Sequence, residues 1–468
     1  MFPKIILAVL LAAACLAYYR RNRDLPLTLL FLLASLFFSR IYWRVQGSSL
    51  RLESFACLAL ALNLIYDLIK KKVKYKLDGA VALVLGLLPV MIIPSVLVSP
   101  SPLLSLKKTL IYIPYLMAFA ALRHYLDDEP KLARAWNFFF VAGSLALALS
   151  LVGCCLFWAG IDLGMIRLQS GTLWLRGTMA VPNILGSTAA LILVTALVRL
   201  TSRAERTRTM IWSALPIVPA AACVMMSMTR SAWVCGGLVS AALLGYALGK
   251  RRWKAALVGS ALLCGTIALT YLATTRIPRL IVPGQEGRTM GEYGEPDLDY
   301  VQKQEPETSF NYSVRIAPVP SNKNTFIRRM QTAKLAVEDW RLSPVIGRGT
   351  ESLLIAHQFK PGFYIPSTWI AFLHDWGGLG LGLHLAFLLL VGLGLLRTCA
   401  RSGSPRTREL TLNLLLVLAL STVLNQVSTT MQLSIFWVLL AFFASASSLS
   451  SRTTIDKKAR VPAGDGAA

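Results

Sequence analysis

The sequence predicts an all-α polytopic membrane protein, a bundle of 12 to 13 transmembrane helices with a long external loop that carries an amphipathic helix. Hydrophobic residues make up 55% of the 468-residue chain and charged residues only 15%, which is typical of helical membrane proteins. Apolar runs of about 17 to 25 residues, the length that crosses a bilayer, recur along the chain. Basic residues are concentrated in the short segments between these runs, as the positive-inside rule describes.

The apolar segments number thirteen. The first resembles a signal peptide, but Arg20, Arg21 and Arg23 follow it and hardly any charge precedes it, so we expect a retained helix. The segments lie near 4–19, 24–39, 53–69, 79–98, 108–123, 135–158, 178–198, 210–228, 231–249, 255–275, 367–396, 409–431 and 433–450.

These segments divide the chain into four parts. Residues 1–275 form an N-terminal transmembrane bundle of about ten helices, and 276–366 form an external, periplasmic loop domain. Residues 367–450 form the C-terminal transmembrane helices, and 451–468 a cytoplasmic tail that we expect to be disordered. The short segments on one side of the bundle hold 27 Lys and Arg residues against nine on the other side. This asymmetry places the first side in the cytoplasm, and the N-terminus and the long loop outside.

Charge and cysteine usage exclude two classes of protein. A formal net charge of +25 would indicate nucleic-acid binding in a soluble chain, but here the basic residues alternate with apolar helices, so the predicted partner is the lipid bilayer and not nucleic acid. Seven of the eight cysteines fall inside apolar segments, and Cys399 lies in a basic loop. The external loop therefore has no disulfide framework.

The external loop has two different halves. Residues 281–324 are rich in Pro and Gly and lack any period, which predicts an irregular connection. Apolar residues then recur from Phe326 to Trp340 at spacings of four, three, four and three, which predicts an amphipathic helix stopped by Ser343-Pro344. This helix would present Arg328 and Arg329 close to the membrane surface.

A few ionisable residues near the external face are candidates for chemistry. Arg176 precedes the helix that holds Pro182-Asn183, and Arg230 lies between two helices. Either arginine could simply reach lipid phosphates. Several arginines on one face could instead bind a pyrophosphate, because planar guanidinium groups hold phosphate oxygens in pairs.

Histidine offers a possible base. His374 adjoins Asp375 near the external face, and the two could act as a base and its orienting carboxylate. The alternative is a packed histidine bonded to a neighbouring helix. The pair Asp297 and Asp299 is too weak a pattern for a metal site, so we predict that the protein uses neither a metal nor another cofactor.

Four local patterns follow one another in the second half of the chain. A glycine precedes a Pro-Asn pair in 176–183, and a serine-arginine element occupies 226–231. Next, an arginine-led helix beginning at Arg329 closes in the Pro-x-x-Gly-x-Gly turn of 344–349. Finally, Ser367 is followed after nine residues by the Gly-x-x-Gly of 377–380. In these patterns and in its hydropathy the chain resembles the superfamily of O-antigen ligases and O-antigen polymerases, bacterial inner-membrane glycan transferases, over roughly residues 170 to 400.

The resemblance implies transfer of a glycan from undecaprenyl pyrophosphate to an acceptor sugar on the periplasmic face, possibly lipid A core, during assembly of lipopolysaccharide or another surface polysaccharide. It implies catalytic roles for Arg230 and Arg329, with Arg176, Arg328 and Arg348 as further residues that hold the pyrophosphate. The ligases carry a signature histidine where this chain has Pro366. Either His357 or His374 replaces it, or base assistance is minor, or the chain is a divergent polymerase.

Two other classes stay open from the sequence. A transporter or flippase for a lipid-linked substrate could use Pro182 and the glycine-rich stretch 377–382 as broken helices. A membrane scaffold without activity is the third reading, although it leaves the external arginines without a purpose.

Overall fold

A computed structural model describes residues 2–45, 48–70, 75, 77–161, 163–169, 172–179, 181–202, 207–275, 325–353, 365–426 and 434–449. Several predictions fall outside these residues: the irregular connection over 281–324, Asp297 and Asp299, His357, and the C-terminal tail.

Sixteen α-helices make up most of the described chain. The N-terminal set is α1 (Phe2–Arg21), α2 (Leu27–Ser35), α3 (Leu52–Lys70), α4 (Gly79–Leu97), α5 (Pro102–Leu110), α6 (Ile113–Tyr125), α7 (Glu129–Trp158), α8 (Pro182–Ser202), α9 (Thr207–Ala214), α10 (Ile217–Met226), α11 (Arg230–Gly249) and α12 (Trp253–Thr275). The set after the long polar segment is α13 (Thr325–Trp340), α14 (Thr368–Arg401), α15 (Pro405–Leu424) and α16 (Ser434–Ser447).

The predicted multi-pass membrane architecture is confirmed. Within the described residues, nine helices or joined helix pairs are long and apolar enough to cross a bilayer, and three shorter apolar helices accompany them. The finer prediction of 12 to 13 spans, and the external position of residues 276–366, stay predictions.

Proline explains two differences from the expected helices. The segment expected near 108–123 is divided between α5 and α6, with Pro114 in the first turn of α6. The segment expected near 210–228 is likewise divided between α9 and α10 at Pro216. Proline lacks the N–H that would continue a helix, but it is well accommodated in a first turn.

The structure also contains two small β-hairpins that the hydropathy pattern did not predict. β1 (Tyr42–Val45) pairs antiparallel with β2 (Ser48–Arg51), and β3 (Ile166–Gln169) pairs antiparallel with β4 (Thr172–Leu175). Each strand has only four residues, too few to show a period-two pattern clearly. The two hairpins lie near each other, because the backbone amide of Arg40, before β1, donates to the carbonyl of Thr178, after β4.

Helix α8 lies at the centre of the bundle and α14 organises its later half. In the 18-residue apolar stretch of α8, 83% of the residues are buried inside the protein, whereas in the same length of each of the other eight spans at most 50% are buried. Helix α8 packs against α10, α11 and α15, and α14 packs against α4, α13, α15 and α16. These two helices therefore position most of the residues discussed below.

The helix predicted over Phe326–Trp340 is α13. It ends at Trp340, three residues before Ser343-Pro344, and packs against α14. Its pattern of apolar residues was sufficient to place the helix, since one face had to meet the bundle.

Candidate functional site

The predicted site residues lie at one end of the bundle, where α8, α11 and α14 begin. We call this end the loop face. Two of the four sequence patterns meet here through side chains: Thr229, just before α11, donates a hydrogen bond to Oδ1 of Asn183 at 3.3 Å. A Cβ atom on Gly186 would lie 2.4 Å from Oγ of Ser227. The Pro-Asn element and the serine-arginine element therefore pack closely.

Arg230 is the first residue of α11 and its side chain is exposed. Met228, two residues before Arg230, has a positive φ of 53°. Such a backbone angle is uncommon for a residue with a side chain and often marks a functional turn. A helix N-terminus adds a partial positive charge from its free N–H groups. Arg230 is thus placed where an anionic group could approach it from solvent or from the lipid headgroups.

The other two patterns meet through their backbones. Helix α14 breaks at Gly377, which has a positive φ of 68° inside an otherwise helical run. A broken helix frees peptide groups that are costly to leave unbonded in a membrane. The 344–349 turn bonds four of them. The backbone amides of Arg348 and Gly349 donate to the carbonyls of His374 and Asp375, at 2.8 and 2.9 Å. In the other direction, the amides of Gly378 and Leu379 donate to the carbonyls of Pro344 and Val345, at 2.8 and 3.1 Å.

Glycine is required on both sides of this contact. A Cβ on Gly377 would lie 2.2 Å from the carbonyl oxygen of Val345, and a Cβ on Gly347 would lie 2.4 Å from the amide nitrogen of Gly377. Both residues also have positive φ angles, which glycine adopts without steric cost. The Pro-x-x-Gly-x-Gly turn and the Gly-x-x-Gly stretch therefore form one unit, which we call the glycine crossing.

A charged cluster lies beside the glycine crossing. His374 is fully buried, and its ring bonds two carboxylates: Nδ1 to Asp375 at 2.7 Å and Nε2 to Asp339 of α13 at 2.9 Å. A neutral imidazole has only one N–H, so only a protonated ring could donate to both carboxylates. Arg348 completes the cluster, with its Nε 3.3 Å from Asp339.

This arrangement bears on the two readings of His374. The bond to Asp375 is the one expected of a base and its orienting carboxylate, and the bond to Asp339 is the one expected of a packed histidine held by a neighbouring helix. Because both ring nitrogens are engaged, His374 could accept a proton from a substrate only after Asp339 releases Nε2. Its catalytic role stays a prediction.

The charge of Asp339 depends on the same contacts. Burial alone would raise the pKa of Asp339, but the hydrogen bond with His374 and the nearby Arg348 guanidinium together hold that pKa below its usual value. Asp339 is therefore ionised at neutral pH and ties α13 to α14. Asp339 was not predicted as a site residue, because nothing in an amphipathic pattern pairs a carboxylate with a histidine 35 positions later.

We expect Asp339→Asn to loosen α13 and to lower the free energy of unfolding by about 1.5 to 3 kcal/mol, because it removes charge-assisted hydrogen bonds. Thermal unfolding and protease cleavage within α13 would measure the effect. Glu338→Gln is the matched control, since Glu338 is half exposed and its contact with Lys334 is 3.8 Å long. Equal behaviour of the two variants would contradict the assignment.

The contact between Asp339 and His374 also predicts that α13 is less stably packed at acid pH. The folded-state pKa of Asp339 lies below the value in the unfolded chain, so its stabilisation is complete above about pH 4. It is lost as the pH falls further, through the folded-state pKa. Wild-type protein should show this loss of α13 protection, and Asp339→Asn should not.

The remaining arginines occupy different places. Arg329 is half-buried on α13, and Arg328 lies on the same helix. Arg176 donates from Nε to the carbonyl of Gly164 at 3.0 Å, and Arg40 donates to the carbonyl of Gly177 at 3.2 Å. Terminal nitrogens of both Arg40 and Arg176 lie within 4 Å of the position that a Cβ of Gly164 would occupy.

Arg40 was therefore missed as a neighbour of Arg176. The sequence shows it only as one charge in a short loop, and 136 positions separate the two residues. Both guanidinium groups lie beside Gly164, so the structure brings a second arginine next to the predicted one.

The predicted catalytic arginines are carried by different helix pairs. Arg230 lies on α11, which packs on α8, whereas Arg329 lies on α13, which packs on α14. The predicted residues Arg348 and His374 are brought together, because both contact Asp339.

The described residues contain no group of three or more His, Cys, Asp and Glu side chains arranged to hold a metal ion. His374 bonds Asp375 through Nδ1 and Asp339 through Nε2.

A scan against protein-family models and a search of curated proteins both gave no match to this chain.

Proposed function

We propose that this protein is a metal-independent membrane glycan transferase that moves a glycan from undecaprenyl pyrophosphate to an acceptor sugar, as the O-antigen ligases do. The observation that supports the proposal best is the pairing of the four sequence patterns. Asn183 contacts Thr229 of the element that contains Arg230, and the 344–349 turn bonds the residues on either side of Gly377. Short patterns that occur by chance have no reason to pack against each other in pairs.

The proposed reaction requires positively charged groups at the loop face. The acceptor hydroxyl attacks the anomeric carbon, the bond from that carbon to the phosphate oxygen breaks, and its electron pair leaves with the pyrophosphate. Negative charge on the leaving group grows as this bond breaks, and fixed guanidinium groups stabilise it. Arg230 and Arg329 would carry most of this role, with Arg176, Arg328 and Arg348 in support. The acceptor proton passes to solvent or to a base such as His374.

The proposal includes a location. We propose the bacterial inner membrane, with the loop face in the periplasm, 12 to 13 spans and a cytoplasmic C-terminus. The difference of 27 against nine basic residues in short segments supports this orientation. We expect a C-terminal phosphatase fusion to be inactive and a C-terminal fluorescent-protein fusion to be bright. An active phosphatase fusion would reverse the orientation.

A transporter would use the break at Gly377 as part of a transport path. In this structure the peptide groups freed by the break are bonded to the 344–349 turn, so they are not offered to an ion or substrate. This observation favours a transferase. A repeat-unit polymerase would perform the same bond exchange with a different acceptor.

The direct test uses purified protein, a lipid-linked glycan and acceptor glycolipid. We expect release of undecaprenyl pyrophosphate that requires the acceptor and yields glycosylated product. Movement of the lipid-linked glycan across a vesicle bilayer without product would support the transporter instead.

Turnover should be insensitive to chelators. Guanidinium groups supply the positive charge that a divalent ion would otherwise bring to the leaving group, so EDTA should leave the rate unchanged. Loss of the rate in EDTA, with recovery on adding magnesium or manganese, would contradict this prediction.

A further inference from the structure

A cavity that is open to its surroundings lies between α8, α14, α15 and α16. Asn425 and Gln426, at the end of α15, and Thr368, at the start of α14, line its mouth at the loop face. Deeper in the bundle the lining becomes apolar, with Leu191, Leu418 and Leu440. This gradient from polar to apolar matches an amphiphile whose chain points into the membrane.

His384 is a buried polar side chain that lines this cavity. It is 4% exposed, and its ring stacks on Phe372 with centroids 4.4 Å apart. Neither ring nitrogen has a hydrogen-bond partner among the residues that the structure describes, although the side chain lines the cavity. A polar group left unbonded in an apolar environment is unfavourable, so an occupant that bonds His384 is preferred over one that does not.

The charge of the lining narrows the occupant further. The described residues that line the cavity include no Lys, Arg, Asp or Glu, so the site is suited to an uncharged part of a lipid and not to a phosphate. A polyprenyl chain also lacks charge, but it has no oxygen along its length and would leave His384 unbonded.

We propose that this cavity binds an ester-linked acyl chain of a glycerophospholipid from the leaflet at the loop face, with the ester carbonyl accepting a hydrogen bond from His384. None of the arginines of the proposed reaction lines this cavity, and the test of this proposal does not depend on that reaction.

The test compares two forms of phosphatidylcholine with identical chains, one ester-linked and one ether-linked, both brominated on the chains so that they quench tryptophan fluorescence. Trp369 lines the cavity, and the difference between wild type and Trp369→Phe isolates its signal. We expect the ester lipid to bind about threefold to tenfold more tightly than the ether lipid, the effect of one net hydrogen bond.

Variants of His384 make the test specific. His384→Leu should bind both lipids equally, whereas His384→Gln keeps an N–H donor and should retain part of the ester preference. Leu389→Ala is the control on the same helix, because Leu389 is 63% exposed, and it should behave as wild type. If His384→Leu does not fold, the preference of wild type for the ester lipid, compared with that of His384→Gln, still tests the proposal.

Three results would overturn the proposal. The first is equal binding of ester and ether lipids by wild type. The second is an ester preference that survives in His384→Leu. The third is complete displacement of the ester lipid by an equal amount of polyprenyl phosphate in wild type, which would make the cavity an isoprenoid site.

Discussion

Arg230→Ala and Arg329→Ala should each lower the rate of glycan transfer by about 10² to 10³, the typical effect of losing one fixed group that stabilises growing negative charge. Both variants should remain folded in the membrane, because Arg230 is exposed and Arg329 is only half-buried. Transfer from lipid-linked glycan by purified protein would measure the loss. Lysine at either position should restore little activity, since a point charge cannot hold two phosphate oxygens as a guanidinium does.

Each arginine has a control that directly follows the same helix. Arg341 is exposed immediately after α13, and Lys250 is exposed at the opposite end of α11 from Arg230. Alanine at either control position should leave transfer near the wild-type rate. If the Arg230 and Arg329 variants express normally and also transfer at that rate, the arginines do not bind the leaving group.

Gly377→Ala and Gly347→Ala should have the largest effects on folding. Each forces a side chain into a positive-φ conformation and into backbone atoms 2.2 to 2.6 Å away. The strained conformation alone costs about 1 to 3 kcal/mol, and separating the two backbones breaks hydrogen bonds that lipid cannot replace. We expect a loss of at least about 3 kcal/mol and little folded protein, measured by thermal unfolding and by yield after detergent extraction.

Gly382→Ala is the matched control for these variants. Gly382 lies in the same helix, and a Cβ there would meet nothing within 4 Å. Its alanine variant should be as stable as wild type or slightly more stable, because alanine favours a helix by about 1 kcal/mol over glycine. If all three variants were equally stable, the contact at the glycine crossing would not be needed for folding.

The local sequence pattern was sufficient to predict most of the helices, but it was not sufficient to predict which residues contact one another. The four-three spacing from Phe326 to Trp340 placed α13 within one residue at its start. Long apolar runs placed the membrane helices, because lipid demands internally bonded backbone over the whole span. The divisions at Pro114 and Pro216 were readable in principle from proline chemistry, but hydropathy alone merges such pieces into one segment.

The site was less predictable because its parts are joined over long distances in the chain. His374 and Asp375 are adjacent, so their bond could be expected, but the partner at Nε2 is Asp339. Arg348 was expected to hold pyrophosphate, and it lies against that same carboxylate. Such pairings depend on the packing of α13 against α14, which no single stretch of sequence encodes.

The glycine crossing also imposes an order of assembly on the chain. The 344–349 turn is synthesised before α14, yet its partners on α14 exist only after that helix has been made and bent at Gly377. Until the turn docks, peptide groups at residues 374, 375, 378 and 379 face lipid or the insertion machinery without partners. Insertion of α14 should therefore stay incomplete until the segment before it folds back, and a nascent chain with a defective turn should be a substrate for membrane quality control.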